Sequence, residues 1–190
     1  MFNYPLSLSF KILALNPQVS VTDASGNLVL YIKQRAFALK EDVKIFADQA
    51  QTRQLYQLRA DRIIDWSATY NISTADGQPL GKVRRKGARS IFKATYNIVD
   101  AAGSEVGVIR EESFLIRLAD WLVGGLLGGY LFHPAYLVEL RGRPVLYLKK
   151  QPAFFEGRFK LEKRGEFSED EEGLLLTSVV MTLMLERLRG

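Results

Sequence analysis

The chain contains no cysteine and one histidine, His133. Without cysteine there is no disulfide, no thiolate nucleophile, no zinc finger and no iron–sulfur cluster. A single histidine cannot build a multi-histidine metal site or a pair of proton shuttles, so most familiar hydrolase and oxidoreductase constellations are excluded by counting. Carboxylate chemistry and binding remain. His133 precedes Pro134 and lies near Tyr130 and Tyr136, which reads as a turn position rather than a catalyst. Glu111 with Glu112, and Asp61 with Asp65, have no helical or strand context that would aim two carboxylates into one pocket. The GGLLGG run at 124–129 lacks the strand followed by GK[ST] that a phosphate loop requires. The expectation is a protein without catalytic residues, metal or cofactor, and therefore not an enzyme.

What is present suits one domain spanning 1–190. With 47% hydrophobic residues, a chain of this size buries roughly 70% of the surface its unfolded form exposes. Lysine and arginine exceed aspartate and glutamate by 26 to 21, with a pI near 9.4, which favours anionic partners. Residues 2–12, FNYPLSLSFKI, alternate with period two and read as a strand. They lack the basic region and the continuous apolar core of a secretory signal, so a cytoplasmic location is expected.

Eight short alternating runs, each bounded by Gly, Asp, Asn or Pro, follow through residue 110, and YLVELR, PVLYLKK and RFKLEK come later. They predict antiparallel hairpins and, with the first strand, about a dozen strands. ATYNI occurs identically at 68–72 and 94–98. The match continues through Gly77 with Gly103, Gly81 with Gly107 and Arg84 with Arg110. A looser copy, VSVTDASGNLVLYIK, lies at 19–33. The repeated unit is strand, Gly turn, strand, with Gly at the position that needs positive φ.

The end of the chain differs in kind. Ser168 and Glu171 form a capping box, and acids at 169–172 and arginines at 187 and 189 suit the two ends of a helix over about 169–188. Residues 173–185 carry no charge on any face, so this helix needs apolar surroundings on all sides. These 13 residues cover about 20 Å, short of the roughly 30 Å of a bilayer core. Threading the helix through a closed barrel of about 12 strands, whose strands are also about 20 Å long, meets the requirement.

This sequence resembles the LURP-one-related branch of the tubby C-terminal-like superfamily, itself similar to the phospholipid scramblases. The likeness is carried by VSVTDASGNLVLYIKQRAFALKEDVKIFAD, the repeated ATYNI with its Gly turn, HPAYLVEL and the closing EGLLLTSVVMTLMLERLRG, and it spans essentially the whole chain. It implies a mainly β fold, a closed antiparallel barrel of about twelve strands around a buried C-terminal helix, with one inserted helical segment. It also implies a cytoplasmic protein that binds phosphoinositide or other anionic lipid, or acts on membranes. Two features depart from the scramblases. No cysteine is available for acylation, and Glu166 with the acids at 169–172 lacks the spacing and turn Gly of a calcium loop, so no metal is expected.

Two stretches are candidates for function. Between Asp76 and Asp100 there is no acid, but Lys82, Arg84, Arg85, Lys86, Arg89 and Lys93 are present. On a hairpin, Lys82, Arg84 and Lys86 share one face and Arg85 points opposite. Such a tip suits phosphate oxygens, with Arg supplying bidentate geometry. The plainer reading is a solvated hairpin with charges that keep a strand from aggregating. The second stretch, 113–138, is apolar and offers Trp121, Leu122, Leu126 and Leu127 as a membrane-contact or interaction face. A lid across the barrel mouth, a helix dipping into the membrane interface and a true span all remain open for it, although a span would put its flanking strands on opposite sides of the membrane. The reading is a membrane-peripheral binding barrel for anionic phospholipid headgroups, a monomer by default. A protein-interaction scaffold, scramblase-like activity and nucleic-acid binding are the alternatives. The last is disfavoured because the basic run lacks interleaved exposed aromatics.

Overall fold

The structure, a computed structural model, describes residues 1–11, 18–33, 42–61, 69–85, 95–112, 135–152 and 156–187. Twelve strands occur in order: β1 (Leu6–Lys11), β2 (Gln18–Thr22), β3 (Leu28–Lys33), β4 (Asp42–Phe46), β5 (Gln54–Ala60), β6 (Thr69–Thr74), β7 (Pro79–Arg85), β8 (Thr95–Asp100), β9 (Glu105–Glu111), β10 (Ala135–Leu140), β11 (Arg143–Gln151) and β12 (Glu156–Lys163). One helix, α1 (Glu169–Arg187), follows. Each strand pairs antiparallel with its sequence neighbours and β1 closes on β12, so the sheet has no free edge. The expected closed barrel with a C-terminal helix is what forms.

Two boundaries differ from expectation. The first strand begins at Leu6 rather than residue 2, because Pro5 has no N–H for the ladder. The residues before it instead close one end of the barrel. Phe2 and Tyr4 pack against the core, and the Phe2 N–H lies 3.0 and 3.1 Å from the two carboxylate oxygens of the buried Glu172. Burial and the neighbouring Glu172 charge push the Tyr4 phenol well above its ordinary range. The other boundary is the end of the apolar stretch assigned to 113–138, whose last four residues belong to β10. The rest of that stretch, 113–134, lies outside the described residues.

The sequence repeat is a repeated turn. In the β2–β3, β6–β7 and β8–β9 hairpins, Gly26, Gly77 and Gly103 have φ of 83°, 89° and 89°. Their N–H groups donate to Asp23, Thr74 and Asp100 carbonyls at 3.0, 3.1 and 3.1 Å. The side chain of that same first residue accepts the N–H of Asn27, Gln78 or Ser104, at 2.8, 3.0 and 2.8 Å. A one-residue register shift sits beside each turn. Thr and Asp thus perform the same task in the three copies, satisfying a turn N–H that would otherwise go unpaired. The β10–β11 hairpin uses a different turn, with φ of 50° at Arg141 and 74° at Gly142, the signature of a two-residue type I′ loop.

The interior is one core to which every strand contributes, with Leu6, Leu8, Ile45, Ile72, Ile98, Ile109 and Leu148 among its most buried members. Residues 172–184 of α1 are buried without interruption, so the helix is enclosed on every face. The capping box forms as the sequence requires: the Ser168 N–H donates to Glu171 at 2.7 Å and the Glu171 N–H donates to Ser168 Oγ at 3.2 Å. The Ser168 N–H, with Arg141 beside it, holds the Glu171 carboxyl below the usual carboxylate range.

Candidate anion-binding surface

Strand β7 alternates between the core and the exterior. Val83 is fully buried, while Lys82 stands opposite Asn71 on β6 and Val99 on β8, and Arg84 stands opposite Thr69 and Asn97. Lys82 and Arg84 therefore share the outer face, as period two demands. Arg85 does not join them. It pairs in register with Tyr96, which is buried and donates its hydroxyl to the Glu186 carboxylate, so Arg85 belongs to the inner face near the end of α1. Lys86, Arg89 and Lys93 lie outside the described residues, as do Trp121, Leu122, Leu126 and Leu127.

Arg84 forms an ion pair with Glu105, both side chains being about half exposed. Arg110, its counterpart in the repeat, pairs with Glu139. The repeat thus preserves an outward Arg with a carboxylate partner, although the partner comes from different strands. Exposed pairs of this kind stabilise little, but they compensate charge, so Arg84 offers an anion less than a bare cation would. Neither carboxylate was assigned a role in the sequence, because pairing across strands depends on register.

The strand directions organise the two ends. At one rim, where α1 begins, the turns 23–27, 47–53, 75–78, 101–104, 141–142 and 164–168 are short and polar. Together with the first helical residues 169–172 they carry eight acids against three cations. The remainder of the chain then holds 13 acids and 23 cations, so a net charge of +5 conceals an acidic rim and an excess of ten positive charges elsewhere. Strands β7 and β9 end, and β8 and β10 begin, at the opposite rim, where α1 also ends. Strands β9 and β10 are hydrogen-bonded neighbours, so a single membrane crossing between them would separate paired strands. Among the described residues no helix is long and apolar enough to cross a membrane.

A second cationic surface lies on the wall formed by β11, β12, β1 and β2. Here Arg158 pairs in register with Ser9, and Lys160 with Ser7, while Ser9 faces Ser20 and Ser7 faces Thr22. Small hydroxyl residues in the middle strands and longer side chains at the edge leave an open groove of about 330 Å³. Each alternation was legible separately, Ser7 and Ser9 between Leu6, Leu8 and Phe10, and Arg158 and Lys160 beside Phe159 and Leu161. That the first and last strands pair follows from the closed barrel expected around the helix, but the register that sets these residues side by side does not.

A family model described as LURP-one-related matches residues 28–120. The X-ray structure of a protein from Arabidopsis thaliana aligns over 100% of this chain and 94% of its own, with a TM-score of 0.51 at 15% identity. At that identity the likeness speaks to the fold, and it supports the complete barrel with its helix. No curated protein matches the chain.

Proposed function

Because the chain belongs to the LURP-one-related family and has the tubby-like barrel, we propose that it is a binding protein rather than an enzyme, recognising anionic phospholipid headgroups peripherally at the cytoplasmic face of a membrane. The observation that carries this reading is the polarity of the barrel. One rim is acidic, and both candidate stretches depart from strand ends at the other. The sequence that joins those strand ends, outside the described residues (12–17, 34–41, 62–68, 86–94, 113–134 and 153–155), contains seven cations and three acids among many Ile, Leu, Phe and Trp residues. An anionic leaflet repels the acidic rim and attracts the other, which selects an orientation before any specific contact forms. Lys82 and Arg84 on β7 adjoin that rim. The enclosed helix fills the interior, which favours headgroup contact at the outside over passage of lipid through the barrel.

Co-sedimentation with vesicles tests this. Binding is expected to phosphatidylcholine vesicles containing phosphatidylserine or a phosphoinositide, and not to phosphatidylcholine alone, and it weakens as salt rises. Lys82→Gln is expected to reduce partitioning about fivefold, the effect of one cation near an anionic surface. Equal recovery on neutral and anionic vesicles overturns the reading.

A further inference from the structure

We propose that the Glu105 carboxylate is the resting occupant of an oxoanion site on the outside of β8, and that a phosphate group binds there by replacing it on Arg84. The proposal rests on the headgroup reading of β7, and it names the donors and the internal competitor within that surface. Two observations carry it.

The first is what the ion pair covers. Arg84 comes from β7 and Glu105 from β9, the two strands that flank β8, so their contact passes over the outer face of β8. Arg84 is in register with Asn97 and Glu105 with Val99. These two residues alternate with Tyr96 and Ile98, which face the core, yet Asn97 is only 6% exposed and Val99 only 2%. The sequence repeat supplies a comparison. Asn71 matches Asn97, the position of Glu105 is taken by Pro79, and Asn71 is exposed. The cover therefore goes with the acid and not with the asparagine.

The second is the state of the Asn97 side chain. Its amide offers two N–H donors and one acceptor, and it forms no hydrogen bond among the described residues. A covered polar group without a partner has lost its hydration and recovered nothing, and folded proteins contain few of them. Valine would fill the same outward strand position without that loss. Asn97 stands directly opposite Arg84, with Cβ atoms about 5 Å apart, and Lys82 is its diagonal neighbour at about 7–8 Å. Lys82 has no ion-pair partner among the described residues. The Glu105 carboxylate brings one charge and two oxygens to Arg84 and leaves Asn97 and Lys82 unanswered. A phosphate dianion brings a second charge and a third oxygen, so it can accept from the Arg84 fork, the Asn97 amide and the Lys82 ammonium together. The pair that it displaces is about half exposed on both sides, a kind that holds its members weakly.

The test is nuclear magnetic resonance of the full chain, following the side-chain amide of Asn97 during titration with inorganic phosphate against chloride at constant ionic strength. Saturable shifts are expected there and at the backbone amides of Arg84 and Glu105. Glu105→Gln is expected to tighten phosphate binding about fivefold, by removing the competitor held in an exposed ion pair. Glu139→Gln removes the same charge from the Arg110 pair and is expected to change binding by less than about twofold. Asn97→Val is expected to weaken binding about fivefold, the loss of one hydrogen bond, while its thermal midpoint stays unchanged or rises. Equal gains in Glu105→Gln and Glu139→Gln, or unaltered binding in Asn97→Val, overturn the site. Vesicles of phosphatidylcholine with phosphatidic acid separate the sources of phosphate. Pelleting that rises in Glu105→Gln and falls in Asn97→Val assigns a lipid phosphate, and pelleting indifferent to both, alongside phosphate shifts that respond, assigns a soluble one. Wild-type protein that ignores anionic vesicles but shows the saturable phosphate shifts removes the membrane reading and keeps the site. Wild-type protein that pellets with them but shows neither the shifts nor a response to either variant removes the site and keeps the membrane reading.

Discussion

Single residues determine how closely neighbouring strands of this barrel can approach each other. A Cβ built on Gly81 would lie 2.2 Å from the Val99 carbonyl oxygen, and one on Gly107 would lie 2.6 Å from the Glu139 carbonyl oxygen. Gly81 and Gly107 match each other in the repeat, as Gly77 matches Gly103, so the repeat encodes close backbone approach as well as turn geometry. Gly77 is different: its φ is 89° but a Cβ there would meet nothing within 4 Å. The two situations separate experimentally. Gly77→Ala forces a left-handed alanine and is expected to cost about 1–2 kcal/mol. Gly81→Ala must displace backbone as well as tolerate φ of 148° and is expected to cost more, about 3 kcal/mol or above. Urea unfolding of both variants checks this, and equal losses would show that the wall relaxes around Gly81.

At the scale of elements, α1 shows how a helix without an outer face is accommodated. Thr177, Ser178 and Thr182 are all buried in it, but they are not equivalent. Thr177 Oγ1 donates to the Gly173 and Leu174 carbonyls at 2.6 and 3.1 Å, whereas Ser178 Oγ and Thr182 Oγ1 have no hydrogen-bond partner. A buried hydroxyl without a partner loses its hydration and recovers nothing. Thr182→Val, which keeps the shape, is therefore expected to be neutral or to stabilise by up to about 1 kcal/mol, and Thr177→Val to destabilise by about 1 kcal/mol. Thermal unfolding that ranks them the other way contradicts this assignment. The helix itself was legible in the sequence, since Ser168, Glu171 and an uncharged run announce its start and its need for enclosure. So were the strands, because alternation and Gly turns are local signals. The closure of β1 on β12 follows from no local signal, and the groove depends on the register of that closure. The basic cluster was only partly readable for the same reason. Alternation put Lys82 and Arg84 together and Arg85 apart, but the Glu105 that compensates Arg84 enters through register two strands away.

For the whole molecule, an up-and-down barrel converts chain order into polarity. Every odd-numbered strand runs toward one rim and every even-numbered strand returns from it, so connections alternate strictly between the ends. The acids of the repeated turns and of the helix start consequently accumulate at one end without being near each other in sequence. Both tryptophans, Trp66 and Trp121, lie outside the described residues, in the sequence between β5 and β6 and between β9 and β10. This gives the proposed orientation a probe already built into the chain. If the barrel meets an anionic bilayer with its acidic rim facing away, tryptophan fluorescence of the vesicle-bound protein is quenched by phospholipids brominated on their acyl chains. Tryptophan is favoured at such interfaces because one ring combines apolar area with a polar N–H. Quenching is expected to be confined to vesicles with anionic lipid and to be reversed by high salt, because the attraction that selects the orientation is screened. Trp66→Phe and Trp121→Phe then report separately which connection contributes. Protein that pellets with anionic vesicles while both tryptophans remain unquenched would place another surface against the membrane and remove the barrel's polarity as the basis of docking.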